Sequence, residues 1–183
     1  MNRMVIPPIE AASGATADLY NWIRDTGNGD VPATYAALGH LIPASFVSVL
    51  SMQSSLAEGS LSHREQEAIK LLISARSGCN ACIAAYGHTG RRAGLSADAI
   101  FAIRTGQRVG EHRLDALLHF VSRLHGGCGT LERSEFDRIR TAGYNDTQLA
   151  EISLVIALST LTNTFNRINA SEVDGLSIEQ ATR

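Results

Sequence analysis

LSHREQEAIKLLISARSGCNACIAAYGHTGRRAGLS, residues 61–96, holds both the helix punctuation and the chemistry that decide how this chain reads. Ser62 and Glu65 form a capping box, in which each side chain satisfies a free backbone N–H of the helix opening, so the spacing predicts a helix over 63–75. Ile69, Leu72 and Ile73 supply its buried face. Ser77-Gly78 interrupts it, and Cys79 opens another helix predicted to reach about Ala93 and to close at Gly94. The C-x-x-C of Cys79-Asn80-Ala81-Cys82 thus stands at a helix start, where free N–H groups and the positive end of the dipole favour a thiolate over a thiol. Three-residue spacing puts both sulfurs on one face of the first turn, within reach of a disulfide after modest rotamer adjustment.

Outward from this core the chain reads as all-α. Aromatic residues make up 5% of it, and apolar residues recur at steps of three and four with no convincing alternation. A first helix is expected over 15–25, with Leu19, Trp22 and Ile23 on one face, broken by Gly27-Asn28-Gly29-Asp30. A short helix over 33–38 leads to Pro43, suited to a first helical position, and to a longer helix ending near Gly59. Downstream, Ser96 caps a helix that stops at Gly106, and 113–124 places Leu114, Leu117, Leu118, Val121 and Leu124 at helical spacing before Gly126-Gly127. A short helix over 132–142 precedes the candidate caps Asn145 and Asp146 of a final long helix running to about 168. The middle of that helix is apolar nearly all round, so Ile152, Val155, Ile156 and Leu158 are expected to be buried from several sides. A polar tail follows Ala170.

The composition excludes several function classes. A length of 183 residues fits one domain with a real hydrophobic core, and a net charge of -2 with interspersed signs provides no basic stripe for nucleic acid. Residues 1–10 lack the long apolar stretch of a signal peptide, and the apolar run 152–158 is far shorter than the ~20 residues needed to cross a bilayer. A soluble, cytoplasmic protein with neither nucleic-acid nor membrane partners is expected. Three cysteines, two of them in one C-x-x-C, make a poor disulfide framework and point to thiol chemistry or metal binding.

The stretch 61–96 resembles the core of the carboxymuconolactone decarboxylase and alkyl hydroperoxidase AhpD-like superfamily. The resemblance extends upstream through VPATYAALGHLIPASF and downstream through AGYNDTQLAEISLVIALSTLTNTFNRI, so it covers most of the chain. The peroxidase-like branch is marked by a Glu, eleven residues, C-x-x-C, three residues and a His. Here Glu67, Cys79 and Cys82 occupy their places, and Tyr86 stands where the His is expected. The resemblance implies an AhpD-like helical bundle spanning residues 1–183, with the C-x-x-C at a helix N-terminus, assembled as a homo-oligomer such as a trimer or hexamer. It implies a thiol peroxidase or disulfide reductase acting on a hydroperoxide or disulfide, recharged by an external dithiol protein or lipoyl group, with no bound organic cofactor. Carried over from the family, Cys82 attacks the peroxide, Cys79 resolves the sulfenic acid, and Glu67 holds or relays the proton.

Other readings stand beside these. The cysteines also read as two small buried hydrophobes, or as half of a zinc site completed from His63, His88 and Cys128, which have no recognisable site spacing. Glu67 also reads as an i,i+3 partner of Lys70 on a solvated face, and Tyr86 as a core residue with its hydroxyl on a backbone partner. His88 lies about 120° around an uninterrupted helix from Cys82 and reads as a surface residue, as do His112, His119 and His125. Cys79 is expected to be the more exposed of the pair, at the cap itself. Two rival functions remain: a decarboxylase-type lyase acting on a carboxylated lactone, which the C-x-x-C opposes, and a non-enzymatic oligomeric binding or stress-response module, which Tyr86 and Ala81 favour.

Overall fold

The computed structural model describes residues 2–26 and 29–171, so Gly27, Asn28 and most of the polar tail expected after Ala170 lie outside it. Within the described residues every regular element is helical: α1 (Gly14–Thr26), α2 (Ala33–Leu41), α3 (Pro43–Ala57), α4 (His63–Ser77), α5 (Asn80–Arg92), α6 (Ala97–Thr105), α7 (His112–Gly126), α8 (Arg133–Thr141) and α9 (Asp146–Asn169), with a single 3-10 turn at Ile9–Ala11. The local signals that set these bounds are the ones legible in sequence. Ser62 and Glu65 close their capping box on α4, Ser96 caps α6, and Gly78, Gly94 and Gly106 take the left-handed conformation that ends helices at no steric cost. Of the two candidate caps for the last helix, Asn145 is the one used. Its Oδ1 accepts from Gln148 N–H at 2.9 Å while Gln148 Oε1 accepts from Asn145 N–H at 3.1 Å, a second capping box that leaves Asp146 as the first helical residue.

The centre of the bundle is α4, packed against α5, α6, α7 and α9. Its residues 66–69 and 71–74 are all buried, so only short gaps in the helix meet solvent. The expectation of four residues buried from several sides on the final helix holds for two of them within one chain: on α9 Ile152 and Val155 are fully buried, whereas Ile156 and Leu158 are half-buried. Polar residues disguise α4 in sequence, and each of them holds a neighbour in place. Gln66 Nε2 donates to the carbonyls of Leu56 (2.8 Å) and Leu61 (3.0 Å), so burial leaves its donors satisfied and ties the α3–α4 connection to the core. The apolar faces expected on α1 and α7 are buried except at one position each: Trp22 is exposed and Tyr20 is buried in addition to Leu19 and Ile23, and Leu124 is exposed at the end of α7 while Leu114, Leu117, Leu118 and Val121 are buried. Tyr20 is drawn inward because its hydroxyl donates to Ala36 O at 2.6 Å.

Two apolar clusters result. The larger one joins α4 to α6, α7 and α9 through Ile69, Leu72, Ile100, Leu117 and Val155. The smaller one gathers Leu19, Tyr20, Ile23, Leu38, Phe46 and Leu50 from α1, α2 and α3. Tyr86 packs on the first and Tyr35 on the second, and the space between these two tyrosines is where a cleft opens.

Candidate functional site

A positive-φ residue, Gly78 (φ 66°), turns the chain between α4 and α5 and delivers Cys79 as the N-cap of α5. Cys79 N–H donates back to Ser74 O at 3.2 Å, and Cys79 Sγ accepts from Cys82 N–H at 3.3 Å, so a sulfur takes the capping role that a Ser or Asp oxygen usually fills. The two sulfurs are joined as a disulfide, with Cα atoms 5.3 Å apart. Contrary to the expectation that the cap cysteine is the more exposed, both are buried to the same degree, because α4 and α9 cover the turn. They differ in what they face. Cys82 lines the cleft and Cys79 does not.

The cleft has a volume of about 570 Å³, within the usual range for small-molecule sites. One wall is a stripe of α5 at helical spacing, Cys82, Ala85, Tyr86 and Thr89; α2 provides Thr34 and Tyr35, and α9 provides Thr162, Asn166 and Asn169. Among the described residues none that lines it carries a formal charge. Asn166 Nδ2 donates to Cys82 Sγ at 3.3 Å, and Thr34 Oγ1 donates to Asn166 Oδ1 at 2.9 Å, which fixes the amide with its N–H side toward the sulfur.

Of the residues singled out in sequence, Cys82 and Tyr86 share this cleft, and Glu67 stands behind it. Glu67 is buried and outside the lining, and it touches the cleft only through Thr89, whose Oγ1 donates to Glu67 Oε2. Lys70 Nζ lies 2.7 Å from Glu67 Oε1, so the anticipated i,i+3 pair exists, but in the interior rather than on a solvated face. His63 approaches the same oxygen at 3.5 Å from the exposed side.

The Tyr86 hydroxyl finds a side chain, not a backbone group: Thr162 Oγ1, 3.3 Å away. Either hydroxyl can donate in this pair, and Thr162 Oγ1 also lies 3.1 Å from the carbonyl of Ser159. Burial pushes the Tyr86 phenol above its ordinary value, nearby Glu67 adds to this, and the Thr162 contact opposes it, leaving a phenol that stays protonated at neutral pH. Tyr35 behaves alike. Burial, then Tyr86, push its phenol up to about 12, and its hydroxyl donates to Gln53 Oε1 at 2.8 Å.

The remaining candidates fall elsewhere. α5 runs on through Gly87 without a break, so His88 stays exposed and outside the cleft, and Cys128 is an exposed free thiol. His119 is more engaged than a surface histidine, with Glu135 Oε2 at 2.7 Å and Arg138 Nη1 at 2.8 Å. Among the described residues no group of three or more His, Cys, Asp or Glu is placed to hold a metal ion, so His63, His88 and Cys128 do not complete a zinc site with the pair. Sequence reasoning missed Asn166, Thr89 and Thr34. A signal existed for the first: Asn163, Asn166 and Asn169 recur every third residue on one face of α9, and all three are buried.

Comparison with known proteins agrees with this architecture. Residues 47–111 match the carboxymuconolactone decarboxylase family. Along its whole length the chain superposes on a structure described as alkylhydroperoxidase AhpD core, an uncharacterized peroxidase-related protein from Ralstonia eutropha JMP134, covering 97% of that chain with a TM-score of 0.84 at 20% identity. An uncharacterized peroxidase-related protein from Silicibacter sp. TM1040 is similar over 100% of this chain and 95% of its own, with a TM-score of 0.77 at 20% identity. A putative antioxidant defence protein AhpD from Agrobacterium tumefaciens, of unknown function, is similar over 74% of this chain and 94% of its own, with a TM-score of 0.65 at 22% identity. No curated protein matches the chain. Among the described residues no helix is long and apolar enough to cross a membrane.

Proposed function

Because residues 47–111 match the carboxymuconolactone decarboxylase family and the chain shares the fold of the AhpD-like structures, we propose that it is a thiol–disulfide oxidoreductase of that superfamily, working as an alkylhydroperoxidase-like peroxidase through Cys79 and Cys82. The observation that carries this reading is the asymmetry of the pair: Cys82 alone faces the cleft and alone receives the Asn166 N–H, while Cys79 lies against it on the inner side. In the reduced protein Cys82 thiolate attacks the outer oxygen of a hydroperoxide, the O–O bond breaks, and the alcohol leaves with a proton. Cys79 thiolate then attacks the Cys82 sulfenic acid, forming the S–S bond and expelling hydroxide, which leaves as water once protonated. An external dithiol or lipoyl group returns two electrons and two protons to the pair, being itself oxidised to a disulfide.

Each flanking group has a task in this scheme. Asn166 supports the thiolate, since a neutral amide donor stabilises negative charge on sulfur. Glu67 handles the protons, with Thr89 as its link to the cleft. Tyr86, paired with Thr162 and protonated, shapes the wall and does not relay a proton near neutral pH.

The lyase alternative is disfavoured by the same cleft. A carboxylated lactone needs a cation to receive its carboxylate, and none lines the site among the described residues. The working unit is a homo-oligomer, a trimer or hexamer, supported by Val47, Met52, Phe101, Leu161 and Ile168, all large apolar side chains left exposed on one chain. The deciding experiment counts free thiols before and after one equivalent of hydroperoxide, with peptide mapping of the product. Loss of two thiols per chain as a Cys79–Cys82 link supports the peroxidase. Retention of both favours the non-enzymatic module, and a link to Cys128 refutes the site.

A further inference from the structure

Residues 2–9 run along the Cys82 cleft as a strap fixed at both ends. At one end Arg3 N–H donates to Asn169 O and Met4 N–H to Asn169 Oδ1, both at 2.8 Å, so one buried side chain and its own carbonyl hook two successive residues. At the other end Ile9 enters the 3-10 turn and packs on the smaller apolar cluster. Between these anchors Ile6, Pro7 and Pro8 face the cleft while Val5 points to solvent. The two prolines lack an N–H and have fixed φ, so this span is stiff without hydrogen bonds of its own. Asn169 follows Asn166 by three residues on α9, so the helix face that donates to Cys82 Sγ also holds the strap.

We propose that residues 2–9 are the specificity-determining wall of the cleft: they confine access to Cys82 to slender molecules, and Asn169 is the positioning residue that holds the wall. This rests on Cys82 being the sulfur that reacts, and it adds what selects its substrate. The strap contributes the apolar side chains Ile6, Pro7 and Pro8, and nothing on it that faces the cleft is ionised. Steric selection is therefore the property it confers, because its removal would widen the cleft without altering the charge next to the sulfur.

The test needs no peroxide chemistry, so it can fail separately from the peroxidase reading. In a Cys128→Ser background, phosphine-reduced protein is labelled with N-ethylmaleimide or with pyrene maleimide, and the rate of modification at Cys82 is followed by peptide mass mapping. Asn169→Ala is expected to raise the ratio of bulky to small reagent rates about tenfold, with Ile6→Ala raising it by less. Ile6→Trp, which fills the wall, is expected to lower the ratio below that of the parent. Should Asn169→Ala fold poorly, the opposed Ile6 pair carries the test, since Ile6 is half-buried and belongs to neither main cluster. A ratio that stays constant across the folded variants, or that moves the same way for Ile6→Ala and Ile6→Trp, overturns the proposal.

Discussion

Asn166 Nδ2 stands 3.3 Å from Cys82 Sγ, with the amide held in that orientation by Thr34 on the opposite side. A donor so placed favours the thiolate, and a hydrogen bond to a charged group contributes about 1.5–3 kcal/mol. Asn166→Ala is expected to move the alkylation profile of reduced Cys82 to higher pH and to slow its reaction at neutral pH about tenfold. Asn166→Asp should move it further, since a carboxylate beside the sulfur repels the thiolate. Rate against pH in a Cys128→Ser background checks both, and coincident profiles would remove Asn166 from the site.

Thr89 connects Glu67 to the cleft, so the carboxylate and the hydroxyl should act as a unit. Thr89→Val is expected to slow peroxide-driven disulfide formation about tenfold, as loss of a positioned proton-transfer group does, and Glu67→Gln to slow it at least as much. Thr89→Ser, which keeps the hydroxyl, should restore most of the rate. The double variant should be no slower than Glu67→Gln alone; additive losses would show that the two groups act apart.

Tyr86 is hydrogen-bonded to Thr162 and stays protonated, which makes it a poor relay. Tyr86→Phe is expected to leave the oxidation rate within about twofold and to cost about 1 kcal/mol of stability. Tyr86→His, which introduces a group titrating near neutral pH, should raise the rate. Stopped-flow oxidation decides between this and the reverse ranking, in which Tyr86 is itself catalytic.

Local signals were the legible part of this molecule. Capping residues, glycines and apolar steps name each helix within a few positions, because a helix end is set by groups three or four residues apart. The C-x-x-C and its helix start are local in the same sense. The identity of the central helix was not legible, because Gln66, Glu67 and Ser74 look like surface residues until α3, α5 and α9 supply their partners. Which sulfur faces the cleft, and which amide meets it, depends on α5 and α9, separated by 84 residues between Cys82 and Asn166. No periodicity within either helix carries that pairing.

Glu65 predicts how the fold responds to acid. Burial pulls its carboxyl up, but hydrogen bonds from Tyr144 (2.6 Å), Ser62 and Arg113 together hold it below its ordinary value of 4.5. A depressed folded value stabilises the native state above the unfolded one, and this contribution disappears as pH falls through the folded value. Tyr144→Phe removes a donor to the carboxylate, so the variant should lose about 1.5–3 kcal/mol at neutral pH and unfold at a higher pH than the parent on acid titration. Circular dichroism against pH measures both; an unchanged acid midpoint would take Glu65 out of the account.

Self-association is expected from the exposed apolar side chains of α3, α6 and α9. Multi-angle light scattering should give a mass that is a multiple of the 19.6 kDa chain, and a sharp monomer at working concentration would defeat the oligomer while leaving the thiol chemistry intact.

The absence of formal charge from the cleft lining among the described residues bears on conditions as well as on substrate. On the proposed scheme a Cys82 thiolate is stabilised by an amide dipole and the start of α5, fixed partial charges within a few ångströms, while mobile ions screen only across a Debye length of about 8 Å at physiological ionic strength. With an uncharged oxidant there is no long-range attraction to screen and no electrostatic steering to lose. Oxidation of the pair should therefore proceed at nearly the same rate in dilute buffer and at physiological ionic strength, a chemistry that takes little notice of the ions around it.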